Sequence, residues 1–331
     1  MKLKKSYLAY LVLIIILASL FAIGCGGSDK EAAKEEVFPT KPITLIQWNE
    51  PGSGGDIVYR TISKLAQEQL GVPINLENRT GGNGAEALNI VMKAPADGYT
   101  ISHWSASLSG FMNMPGFPVK AEDFDYLVRF TNLSYMLCVN SELPIQNAEE
   151  FIEYAKVNPG QLTVSGSRIG SIHHQNLFAM CKEIGIDVVY VPAEGGSAAL
   201  ANALGGHVDG LIYRPSDMLP YVKEGTLRPI LLFDTERDPN YPGVPTIKEI
   251  GLEMNPFMQS NGIMIKKGAS EEVKQIIIEA FERAREEPEY QEYLKKTHQG
   301  DGKIPQKEFE EIFLKEVKSA ESYLREIGVI E

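Results

Sequence analysis

From Pro42 onward, short β-branched runs alternate with amphipathic helical patterns, and the joins between them are rich in glycine and serine. This alternation constrains the fold more than any other feature, because strands separated by helical crossovers pair in parallel within layered α/β sheets. Strand patterns fall at residues 43–47, 73–77, 99–103, 162–165, 188–191, 208–213 and 227–233. The first helical stripe carries Val58, Ile62, Leu65 and Ala66 behind Asp56, a good N-cap residue, and stops at Gly71, which tolerates left-handed backbone. Near the C-terminus Ser270 caps a helix running to about residue 287. Pro305 then opens the longest one, with Phe309, Ile312, Phe313, Val317, Ala320, Tyr323, Leu324 and Ile327 on one stripe.

Three of the strand-to-helix joins carry chemistry. They are Trp48-Asn49-Glu50-Pro51-Gly52-Ser53-Gly54-Gly55-Asp56, Ser165-Gly166-Ser167-Arg168-Ile169-Gly170-Ser171, and Pro192-Ala193-Glu194-Gly195-Gly196-Ser197. Each ends a strand at its carboxyl edge and opens a helix whose first N–H groups lack intrahelical partners. Such ends attract anions, and ligands of open α/β sheets sit at that edge.

Other chemistries are disfavoured. A net charge of −12 and a pI near 5.1 leave no basic face for nucleic acid. Three cysteines among 331 residues make no disulfide scaffold, and no zinc-ligand spacing occurs. Cys138 and Cys181 sit in apolar runs and read as free thiols. No GxxxxGK[ST] phosphate loop is present, Gly81-Gly82-Asn83-Gly84 does not match GxGxxG, and Ser167 stands one position too early for a GxSxG elbow. His173 and His174, adjacent on a helix, point about 100° apart and cannot share a metal as an i, i+4 pair does. We therefore expect no catalysis, no cofactor and no metal.

The N-terminus reads as an address. Lys2, Lys4 and Lys5 precede an uncharged run from Tyr7 to Ile23, and Ala22-Ile23-Gly24-Cys25 ends it as a lipoprotein processing site would. We expect residues 1–24 to be a signal peptide, Cys25 to be lipidated, and residues 25–39 to be a polar tether spanning roughly 18 Å as a flexible coil. The body would then lie outside the cytoplasm, held to the cell membrane on its periplasmic or outer side.

The order of motifs resembles a known family. KPITLI and GGDIVYR are followed by ENRTGGNGAEA, APADGYTI, NPGQLTVSGSRIGSIHH, VPAEGGSAALANALGGHVD, LPYVKEGTLRPILL and YPGVPTIKEIGL. In that order they resemble the Bug-type solute receptors of tripartite tricarboxylate transporters, from about residue 42 to 328. The resemblance implies a type II periplasmic-binding-protein fold, with one lobe at 40–137 plus 262–331 and the other at 138–261. The crossings would run through 133–140 and 259–265. It also implies a small organic carboxylate as ligand and an integral-membrane permease as partner. The ligand set carried over is Trp48, Asn49, Glu50, Gly54, Gly55, Asp56, Ser105, Ser167, Arg168, Gly170, Ser171, His174, Gly195, Gly196 and Arg214.

The chain departs from the family pattern where a ligand would be chosen. Trp48-Asn49 replaces the usual Pro-Phe, Arg168 a glycine, Ser171 a threonine, Ala193 a tyrosine, Trp104 a glycine, and Tyr213-Arg214 an Asp-Asn pair. Arg168 and Arg214 could clamp a carboxylate. Glu50, if it faced the ligand, would favour an amine or amino-acid-like solute instead. A lobe presenting ligand status to a sensor protein would use the same pocket. His174 and Asp209 keep the family residues.

Overall fold

The computed structural model describes residues 38–331, so the signal segment, Cys25 and most of the tether lie outside the described residues. Two mixed sheets form the body. The first is built from β1 (Ile43–Gln47), β2 (Ile74–Asn78), β3 (Thr100–Ser105), β4 (Phe124–Leu133), β10 (Gln259–Lys266) and β11 (Gly300–Asp301), in the order β11-β4-β10-β3-β1-β2. The second contains β5 (Tyr135–Asn140), β6 (Thr163–Gly166), β7 (Val189–Pro192), β8 (Gly210–Tyr213) and β9 (Leu227–Phe233), in the order β7-β6-β8-β5-β9.

The expected strands are all present, but the sheets are not purely parallel. β1 pairs in parallel with β2 and β3, and β6 with β7 and β8. β10 runs antiparallel between β3 and β4, and β5 runs antiparallel between β8 and β9. These antiparallel strands are the ones next to the passages between sheets, where the chain returns without a helical crossover to reverse it.

Helices cover the faces. α1 (Gly54–Leu70) and α8 (Glu271–Glu286) pack on one face of the first sheet, where Val58, Ile62, Ile277 and Phe281 meet Ile43, Leu45, Ile101 and Phe130. α2 (Ala85–Lys93), the short α3 (Leu108–Phe111) and α10 (Gln306–Glu326) cover the other. α4 (Ala148–Val157), α5 (Ile172–Ile184), α6 (Gly196–Leu204) and α7 (Pro215–Lys223) serve the second sheet, and α9 (Pro288–Lys296) follows α8. Along β5, Leu137 and Val139 enter one core while Met136 and Cys138 enter the opposite one, which is why the run is apolar throughout. Cys138 and Cys181 are both free.

Two local expectations change. Ser53, not Asp56, caps α1, accepting the Asp56 N–H at 3.3 Å, because the Asp56 carboxylate is drawn into a hydrogen-bonded cluster described below. β4 has no counterpart among the strand patterns, because its charged residues break the period. Asp125 pairs with Lys274 at 3.2 Å, and Arg129 donates through Nε to the Gly302 carbonyl at 2.8 Å.

Tyr59 ties α1 to the centre of the first sheet. Its hydroxyl accepts the Gly262 N–H at 3.0 Å and lies 2.6 Å from the Trp104 carbonyl, to which it donates. This is the point where β10 shifts register against β4, between Asn261 and Gly262, so the ladder alone does not serve that amide. We predict that Tyr59→Phe costs about 1–3 kcal/mol, the penalty for a buried donor left unpaired. Urea unfolding would measure it, and an unchanged midpoint would remove the hydroxyl from this role.

Candidate functional site

The first join is shaped by one buried carboxylate. Asp56 is 1% exposed, and its Oδ1 accepts from Gln47 Nε2 at 2.6 Å and Asn78 Nδ2 at 2.9 Å. Its Oδ2 accepts from the Gly52 N–H at 2.8 Å and Arg60 Nε at 2.7 Å. Burial pushes the carboxyl up, but Arg60, Asn78 and Gly52 together hold it below its ordinary value. The same cluster places Asn49, whose Nδ2 donates to Gln47 Oε1 at 3.0 Å and whose carbonyl accepts from Asn78 Nδ2 at 2.8 Å. Asp56 therefore acts from beneath the join. The amides of Gly54 and Gly55, the first two of α1, carry no hydrogen bond within the described residues.

Trp48 lies over His103, with ring centroids 3.6 Å apart, and its amide meets His103 Nδ1 at 3.4 Å. Gly84 backs the indole so closely that a Cβ there would come 2.9 Å from Trp48 Cδ2. Glu50 points to solvent, and its carbonyl accepts from the Ser53 N–H.

The side chain that meets the first join comes from a further one, between β8 and α7. Arg214, the N-cap residue of α7, reaches back to α1, where a Cβ on Gly54 would lie 2.8 Å from Arg214 Nη1. Asp217 holds the same guanidinium, and the Tyr213 ring lies 5.3 Å from it. Arg168 is held away from Arg214 by Glu194 of the third join, at 3.1 Å, with both side chains substantially exposed. Gly195 and Gly196 open α6, and Gly196 has no room for a side chain because a Cβ would fall 1.9 Å from the Tyr213 ring.

The sheets also touch at their inner rims. Gly170, at φ +82°, turns its carbonyl onto Gly110 of α3, where a Cβ would overlap it at 1.9 Å. Gln175 Nε2 bridges the same place, donating to the Gly170 carbonyl at 2.9 Å and contacting Ser109 Oγ at 3.2 Å. Ser105 is buried at the end of β3, and its Oγ accepts from the Ser107 N–H at 3.3 Å. Ser167 lends its carbonyl to the Tyr190 hydroxyl at 2.5 Å. Ser171 caps α5 with its own hydroxyl buried and unpartnered.

His174 occupies a different setting from the glycine loops. Its ring stacks on Tyr190 at 4.1 Å and meets the Tyr323 hydroxyl of α10 through Nδ1. Burial brings its pKa down to about 4, so the neutral ring accepts the Tyr323 proton. His173, between Tyr135 and Tyr213, has both ring nitrogens unpartnered and a pKa of about 3, from burial and then from Arg214. His103 is likewise held neutral by burial.

The structure thus gathers Asn49, Gly54, Gly55 and Arg214 at one place and Ser167, Arg168 and Glu194 at another, and it assigns His174 to an inter-sheet contact. Asp217, Gln47 and Asn78 belong to the arrangement without having been singled out, and Tyr213 entered only as a departure from the family pattern. Only Asp217 left a trace in the sequence, an acid three residues beyond Arg214 at a helix start. Among the described residues no cluster of His, Cys, Asp and Glu suits a metal ion, and no helix is long and apolar enough to cross a membrane.

Two mixed α/β sheets joined by two passages are the architecture of a periplasmic solute-binding protein. More particularly, the chain belongs to the tripartite tricarboxylate transporter receptor family, whose TctC model matches residues 58–329. A Cupriavidus necator protein of the UPF0065 group is 28% identical over 95% of both chains. Protein BugT of Bordetella pertussis is 27% identical over 72% of this chain and 74% of its own. Among solved structures, one described as a periplasmic transporter superposes with a TM-score of 0.75 at 25% identity, covering 88% of this chain and 99% of that one. The malate-bound MatC protein of Rhodopseudomonas palustris superposes with a TM-score of 0.73 at 23% identity, over 86% and 99%. An adipate-bound R. palustris protein reaches 0.75 at 22% identity, over 87% and 97%. The fold is that of periplasmic binding proteins, and the chain is a solute-binding receptor of this family.

Buried neutral histidines give the structure an acid limit. Between the usual histidine value of 6.5 and about 4, the unfolded chain takes up a proton that folded His174 refuses. The stabilisation is full above pH 6.5 and is lost as pH falls toward 4, by up to about 3 kcal/mol from His174. We predict that unfolding free energy drops across this window, and that His174→Gln makes the drop shallower by about one proton. An equal slope in the variant would show that His174 does not carry it.

Proposed function

We propose that this protein captures a small organic carboxylate between its two lobes, taken as 40–137 plus 262–331 and 138–261, and delivers it to an integral-membrane permease of a tripartite transporter. The observation that carries this reading is the meeting of Arg214 from one sheet with the open α1 N-terminus of the other, at Gly54. Both supply donors suited to a carboxylate. A guanidinium can bind it bidentately, and free amides at a helix start bind it through the local dipole. Because the donors come from opposite sheets, a carboxylate taken between them favours the closed arrangement over the open one.

Glu50 points to solvent, which supports an anionic ligand over an amine. The malate- and adipate-bound neighbours make dicarboxylates the first probes. Arg168 stands ready for a second carboxylate, at the cost of its exposed contact with Glu194. Lipidation at Cys25 would keep the receptor within a tether's reach of its permease.

A thermal-shift screen of the chain from Ser28 onward, with mono-, di- and tricarboxylates, aromatic acids, amino acids and polyamines, tests the reading. A carboxylate at about 100 times its dissociation constant should add roughly 2.7 kcal/mol, several degrees for a chain of this size. Arg214→Gln should weaken that ligand about tenfold or more. Shifts with polyamines alone would overturn the carboxylate assignment. Unchanged carboxylate affinity in the variant would remove Arg214 from the site.

A further inference from the structure

A cavity of about 500 Å³ lies where α10 meets the segment leading into β10. No residue of the joins at 48–56, 166–171, 193–196 or 213–214 lines it, so it is separate from the cleft described above. Its walls come from both sides of the passage between sheets. Trp104 and Arg129 belong to the first sheet, Phe309, Phe313 and Glu316 to α10, and Phe257 to the incoming segment, with Ala179 reaching it from α5. Phe257 is fixed there by Asn176 of α5, which donates to its carbonyl at 2.8 Å and accepts its N–H at 3.0 Å.

The polar groups of this cavity are short of acceptors. Trp104 is 2% exposed, and its indole N–H has no partner. Arg129 spends only Nε, on the Gly302 carbonyl, and its two terminal nitrogens make no hydrogen bond within the described residues. Burial raises the Glu316 carboxyl to about 8, with Arg129 opposing. A buried donor left unpaired is costly, and the Trp104 N–H beside the half-buried Arg129 guanidinium calls for an acceptor-rich headgroup. Asn132, Ser260, Lys315 and Ser319 also line it, Phe257, Phe309 and Phe313 supply its aromatic wall, and the volume falls within the range of small-molecule sites.

We propose that this cavity is a second ligand site, for a monocarboxylate with an apolar tail, distinct from the cleft ligand. Arg129 and the Trp104 indole N–H take the headgroup, and the tail lies against Phe257, Phe309 and Phe313. A cation is disfavoured by Arg129.

The chain contains two tryptophans, so Trp48→Phe leaves Trp104 as the sole indole reporter. Octanoate and 4-phenylbutyrate titrated into the full chain with that substitution should change Trp104 emission saturably. Octan-1-ol and succinate should bind at least about tenfold more weakly, for want of a charged headgroup or of an apolar tail. Calorimetry on the unmodified chain should return the same octanoate constant. Arg129→Gln should weaken octanoate about tenfold or more, while Ala179→Phe, which narrows the cavity from the α5 side, should abolish its binding. No saturable change up to about 10 mM in either assay, a weak-binding limit, would overturn the proposal. So would an octanoate constant that neither substitution alters.

Discussion

The paired passage between the two sheets is the constraint on which the rest depends. The chain leaves the first sheet at Leu133 and re-enters it at Gln259, and these two residues are register partners. Two side-chain hydrogen bonds set the crossing. Ser134 Oγ donates to Asp234 Oδ2 at 2.7 Å, and the Tyr135 hydroxyl donates to Gln259 Oε1 at 3.2 Å. With both strands committed to one place, the facing ends of the two sheets are brought opposite each other. The donors at Gly54 and Arg214 can then meet although 160 residues of sequence separate them. Motion between the sheets is thereby restricted to whatever rotation a two-strand connection permits.

Within that frame the site is made of backbone, and its side chains mostly work from behind. Asp56 is a buried anion beneath a loop proposed to bind anions. That placement is tolerable because four donors satisfy it fully and none of its field is left unopposed. Glycines at 54, 110 and 196 serve approach rather than flexibility, since each faces a side chain or carbonyl where a Cβ would intrude. Arg214 is positioned by Asp217 and Tyr213 before any ligand arrives, which lowers the entropy of recruiting it.

The sequence made most of the skeleton legible, because period-2 and period-3.6 patterns report burial directly. β1 and β9 were readable to the residue, and on the α10 stripe Phe309, Phe313, Ala320, Tyr323 and Leu324 are buried while Ile312 and Val317 are half-buried. Strand direction was not legible. Nothing in QSNGIMIK distinguishes an antiparallel return from a parallel crossover, and β4 hides its strand character behind Asp125, paired with Lys274, and Arg129, hydrogen-bonded to the Gly302 carbonyl, each partner lying far along the chain. The glycine joins could be found as joins, but which side chains would meet across them could not. The contact between Gly54 and Arg214, and that between His174 and Tyr323, are products of tertiary closure and leave no local pattern.

The C-terminal helix has a consequence for how far the two sheets can part. α10 packs Phe309 and Phe313 under the first sheet, then extends its last turns onto α5, where Tyr323 meets His174 and Glu326 meets Lys182 at 2.5 Å. It therefore works as a strut laid across the joint, bonded firmly at one end and by a few polar contacts at the other. Since each helical residue advances the side-chain direction by about 100°, one residue gained or lost between Phe313 and Tyr323 would swing the far contacts off their seat. The length of this helix is in that sense a gauge of aperture, and receptors of this build could reset how widely they gape by altering the strut while leaving every ligand-facing loop untouched.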